Sequence, residues 1–98
     1  MKIPSQIKIF GYCYDVEVVD VLPSDNYGII DFDDLKIRIR DTKQKEEVFI
    51  HEVLHGVLQA CGNYKANDDE LLVDMIANGI YTVIMDNPIL FEKKENPS

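Results

Sequence analysis

Val48-Phe49-Ile50-His51-Glu52-Val53-Leu54-His55-Gly56-Val57 is the stretch on which the reading of this chain turns. Its apolar residues belong to a periodic run that continues through Leu58 to Cys61, which predicts a helix. On a helix, His51 and His55 stand one turn apart on the same face, so two imidazole nitrogens can reach one tetrahedral metal ion. Glu52 lies about 100° round the axis from His51. It borders the metal face without competing as a ligand, where a carboxylate can take a proton from a water. The chain has two histidines, and both fall in this His-Glu-x-x-His pattern. Scattering them at random among the seven glutamates of a 98-residue chain gives the pattern in roughly 0.1% of cases.

Working outward, Gly62-Asn63 is a suitable helix stop, and Asp41 followed by Gln44 resembles a capping box at the start, placing this helix at about 43–61. Downstream, Asn67 followed by Glu70 is a second capping-box candidate, opening a helix over about 68–86 that Asn87-Pro88 ends. Upstream the period changes to two. Ile7 and Ile9, then Tyr14, Val16 and Val18, then Ile37 and Ile39 alternate with polar neighbours, as half-buried strands do. Leu22 to Gly28 and Asp33-Asp34 are the turns between them. The expected fold is α+β: an antiparallel or mixed sheet of three to four strands, then two helices. Residues 1–88 form one domain and 89–98 a polar tail.

Ninety-eight residues leave room for a single small core, which usually needs a staple. Cys13 and Cys61 do not make a disulfide framework and read as reduced thiols, which points to the cytoplasm. Met1 to Gln6 lacks the apolar run of a secretory leader, and Asp74 and Asn78 interrupt the best membrane-span candidate. Eighteen Asp and Glu against ten Lys and Arg give a net charge of −8, which argues against nucleic acid or an anionic membrane as partner. The basic alternation Lys36, Arg38, Arg40 reads as a solvated face or the protection of an edge strand.

The motif and its uncharged flanks, with Val48 three residues before the first His, resemble the zincin metallopeptidases. A third ligand must be a carboxylate or cysteine, since no third histidine exists. Glu70-Leu71-Leu72-Val73-Asp74 matches the Glu-x-x-x-Asp pattern of the gluzincin branch. That resemblance implies Zn²⁺ held by His51, His55 and Glu70, with Asp74 hydrogen-bonded behind a ligating histidine and Glu52 as general base. Strands followed by an active-site helix and a glutamate helix, within this length, look like the minimal gluzincins and short phage-encoded metallopeptidase-like proteins. The order is also similar to that of the repressor-cleaving ImmA/IrrE-type peptidases. In zincins the edge strand before the active-site helix binds an extended peptide, a role that falls to Lys36–Asp41 here. Larger gluzincins supply a His or Tyr to the developing oxyanion, and Tyr64 is the candidate substitute. Some minimal zincins are held latent by a terminal segment, the role open to the polar tail. The expected activity is zinc-dependent hydrolysis of a peptide or protein substrate. The alternative is a zinc-stapled module that binds a peptide on the same scaffold without cutting it.

Overall fold

Two residues decide where the chain first reverses. Phe10 and Gly11 both have positive φ, 49° and 87°, the backbone of a two-residue hairpin turn whose twist matches its strands. The turn joins β1 (Gln6–Ile9) to β2 (Tyr12–Val19), with Ile9 opposite Tyr12. A computed structural model describes residues 1–91 of the chain. After β2, a 3₁₀ turn over Pro23–Asp25 carries the chain to β3 (Gly28–Asp31). Asp31 Oδ1 then accepts from the backbone N–H groups of Asp33 and Asp34, closing the next turn into β4 (Lys36–Arg40).

The result is a four-stranded mixed sheet in the order β1-β2-β4-β3, followed by helices, which is the α+β architecture expected. β4 runs parallel to β2, with Val16 beside Ile37, and antiparallel to β3, with Ile30 beside Ile37. Lys36–Asp41, expected at the edge, is therefore interior. The chain leaves β2, passes to the far side as β3, and turns back into the gap, so β1 and β3 are the edges. Burial agrees, because Ile37 and Ile39 are fully enclosed. The basic alternation occupies the outer face of the sheet. Arg38 lies 3.6 Å from Glu17, and the Arg40 guanidinium sits 4.4 Å over the Tyr27 ring.

α1 (Lys45–Ala60) crosses the inner face of the sheet, burying Phe49 and Ile50 against Ile9, Tyr14, Val16, Ile37 and Ile39. Gly56 sets how near it comes: a Cβ there would stand 2.8 Å from Ile9 Cδ1 and 3.1 Å from Ile30 Cδ1. A one-turn helix, α2 (Tyr64–Asn67), leads into α3 (Glu70–Asp86), which packs on α1 through Val73 and Ala77. The layers are sheet, α1, α3. Among the described residues, α3 packs against no strand.

Neither expected capping box forms. Asp41 instead pairs with Lys45 at 3.0 Å, one helical turn on. Asp69, not Asn67, caps α3, its Oδ1 accepting from Leu72 N–H at 3.1 Å. Pro88–Phe91 makes a 3₁₀ turn within the segment read as tail. Residues 92–98, with the latency role given to them, lie outside the described residues.

Candidate metal centre

The helical period of α1 places His51 and His55 on the face it turns toward the start of α3, and α2 swings that start back over them. The two Nε2 atoms are 3.2 Å apart. Glu70, the first residue of α3, closes the triangle: its Oε2 is 3.1 Å from His51 Nε2 and its Oε1 is 2.8 Å from His55 Nε2. These three side chains form a group that could hold a metal ion.

The proton inventory explains why a cation fits. His55 Nδ1 is hydrogen-bonded to Asn67 Oδ1, whose own amide nitrogen donates to Gln59 Oε1 at 3.2 Å. With an oxygen facing Nδ1, the ring can keep its hydrogen there and offer Nε2 to a metal. His51 Nδ1 stands 3.4 Å from Asp74 Oδ1. Two ring nitrogens and a carboxylate thus converge, a donor set that suits a cation. Nitrogens about 2.0–2.1 Å from a tetrahedral ion lie about 3.3 Å from one another, close to the separation seen.

Glu52 sits on the sheet side of this group and is only 7% exposed. Burial pushes its carboxyl above the ordinary 4.5, against the opposing pull of His51 and His55. The reason it can be there is Gly28 on β3. A Cβ at that position would meet Val48 Cγ1 at 2.7 Å and Glu52 Cγ and Oε2 at 3.0 Å. The edge strand and Glu52 therefore touch.

The group opens on a cavity of about 670 Å³, walled also by Asn26, Tyr27, Gln44, Glu47 and Asn78. Structural zinc sites are closed by four protein ligands, whereas this group has three side chains beside open space. Among the sequence-derived site residues, His51, Glu52, His55, Glu70 and Asp74 all come to this cavity. Tyr64 does not. It starts α2, is 60% exposed, and is not part of the cavity wall, where Tyr27 stands instead.

No protein-family model, curated protein or solved structure matches this chain. Sequence reasoning took Asn67 for a helix cap and Tyr27-Gly28 for part of a turn. The signal for Asn67 was weak, since a short polar side chain three residues before Glu70 suits a cap equally well. For Gly28 only the packing of α1 on the strand reveals the need.

Proposed function

We propose that this protein is a zinc-dependent metallopeptidase of the gluzincin type. The observation that carries the reading is the convergence of His51, His55 and Glu70 beside a buried glutamate and an open cavity. Histidine and carboxylate donors at this spacing suit zinc. When bound there by His51, His55 and Glu70, zinc would polarise the scissile carbonyl and acidify the attacking water. Glu52 takes the proton from that water and returns it to the leaving amine, a task suited to a carboxyl whose pKa is raised toward neutrality. Asp74 and Asn67 stand beside the Nδ1 atoms of the two imidazoles, which leaves each Nε2 to the metal.

The substrate path follows from the corrected strand order. In the antiparallel β3–β4 pair, Ile29 and Asp31 share the hydrogen-bonding parity of Tyr27, whose carbonyl accepts from Arg40 N–H. Gly28 and Ile30 therefore turn their backbone groups to the free edge of the sheet. An extended peptide pairing with that edge would pass Gly28 and lie beside Glu52.

The exposed and unbridged thiols of Cys13 and Cys61 support a cytoplasmic setting. Among the described residues no helix is long and apolar enough to cross a membrane.

The test is metal analysis of the purified chain, then incubation with a mixed peptide library. One zinc per chain, lost in Glu70→Ala, with products that disappear in Glu52→Ala, supports the peptidase. Zinc-dependent peptide retention without products supports the binding module. Hydrolysis that persists in Glu52→Ala overturns the mechanism.

A further inference from the structure

Glu47 is the acidic side chain of the cavity wall that the metal reading leaves unused. Glu70 closes on the two imidazoles, Asp74 stands 3.4 Å from His51, and Glu52 is the buried carboxyl beside them. Glu47 is half-buried, and among the described residues it forms no ion pair. No lysine or arginine among the described residues lines this cavity, and the remaining polar residues of its wall, Asn26, Tyr27, Gln44 and Asn78, are uncharged. Arg40 stacks on Tyr27 from the outer face of the sheet and is not part of the wall. A cleft lined by one sign of charge concentrates ligands of the other.

Position gives that charge a definite place on the substrate path. Glu47 precedes His51 by four residues on α1, so it shares the histidine face and stands about 6 Å nearer the start of the helix. β3 runs the same way as α1: Gly28 lies against Val48 and Glu52, and one turn later Gly56 lies against Ile30. Tyr27, which leads into Gly28, and Gln44, which precedes α1, therefore meet Glu47 at one end of the cavity. An extended peptide on the β3 edge advances about 3.3 Å per residue. It reaches Glu47 about two residues from the bond held over His51, His55 and Glu70.

We propose that Glu47 selects substrates with a basic residue, arginine above all, about two positions from the cleaved bond. The inference rests on the peptidase reading and its β3 path, and adds the class of substrate. Arginine presents five N–H donors in a planar fork, so it can meet a carboxylate with two and a neighbouring amide oxygen with another, whereas lysine presents one cationic nitrogen. An acidic first turn also suits the helix dipole, but Glu46 supplies that as well as Glu47 does. Glu46 lines a separate hollow with Asp41 and Lys45. The two neighbours carry the same charge at the same helix end, and only Glu47 lies on the substrate path.

The test titrates zinc-loaded full chain carrying Glu52→Gln, which separates binding from turnover, with two fluorescent peptide pools alike except for one Arg or Gln. The Arg pool should bind about tenfold tighter. Adding Glu47→Gln should erase that preference, Glu47→Lys should turn it toward pools with Glu in place of Arg, and Glu46→Gln should retain it. Zinc-loaded wild type should cut the Arg pool about two positions from the arginine. Equal binding of the two pools, or binding of neither, overturns the inference. So does a preference that Glu46→Gln weakens as much as Glu47→Gln, since that traces it to the net charge of −8 and not to the cavity. An Arg preference in binding with no products from the wild type overturns the peptidase reading and leaves the role of Glu47 standing. Products formed equally from both pools do the reverse.

Discussion

Replacing Gly28 by alanine tests the seam between edge strand β3 and helix α1 with a single methyl group. Its Cβ would fall 2.7 Å from Val48 Cγ1, where carbon atoms ordinarily rest about 3.5–4.0 Å apart. Roughly 1 Å of displacement is therefore forced. Relief by rotating one side chain is blocked, because Glu52 Cγ and Oε2 close the other side at 3.0 Å. Relief by lifting α1 is resisted one turn further on, where Gly56 is already seated against Ile9 and Ile30. Overpacking of this kind costs about 1–3 kcal/mol. For a domain of this size, each kcal/mol lowers Tm by about 4–8 °C, so the expected fall is about 4–24 °C. Zinc stoichiometry should be unchanged, because the atoms that the new Cβ would meet belong to Val48 and Glu52 and not to His51, His55 or Glu70. Peptide hydrolysis should drop on the order of 100-fold if Glu52 is moved by about 1 Å. Calorimetry of the zinc-loaded protein and metal analysis read the two effects separately. An unaltered Tm would refute the close approach, and lost zinc would refute the separation of base from ligands.

Asn67→Ala should weaken zinc binding about 10–100-fold by freeing His55 to rotate, as measured against a competing chelator; unchanged affinity would remove Asn67 from the centre. Zinc at 100 times its dissociation constant should stabilise the fold by about 2.7 kcal/mol, so chelation should lower Tm by roughly 11–22 °C, and a Tm indifferent to chelator would contradict a metal joining α1 to α3. In metal-free protein, the raised pKa of Glu52 favours folding while the carboxyl is neutral. That contribution is complete below the ordinary 4.5 and is lost as pH rises through the folded value. Glu52→Gln lacks this loss, so its urea midpoint should gain on the wild type as pH rises from 4.5; parallel curves would show that Glu52 is not penalised by burial.

The sequence made the helices legible because their signal is local. The i, i+4 spacing of His51 and His55 and the period around them needed nothing from the rest of the chain. Glu70 and Asp74 were legible for the same reason, as one turn of a second helix. Strand order was not. Ile37 and Ile39 alternate with Lys36, Arg38 and Arg40 in a way that suits a half-buried strand at an edge or at the centre. Only the return of β4 between β2 and β3 decides between them. Asn67 was misread because two tasks compete for one short amide, and contact with His55 took it from the helix end. Tyr64 failed to reach the cavity because the linker coils into α2 and turns the ring outward.

The layering has a consequence for cooperativity. Because α3 reaches the rest of the protein through α1 and the short α2, the seam between α1 and α3 is where partial opening costs least burial. His51 and His55 lie on one side of that seam and Glu70 on the other. Detaching α3 would leave a sheet and helix with two imidazoles and no carboxylate. Metal affinity and the opening of this last helix are then two measures of one equilibrium, and an ion that bridges the seam converts two folding units into one.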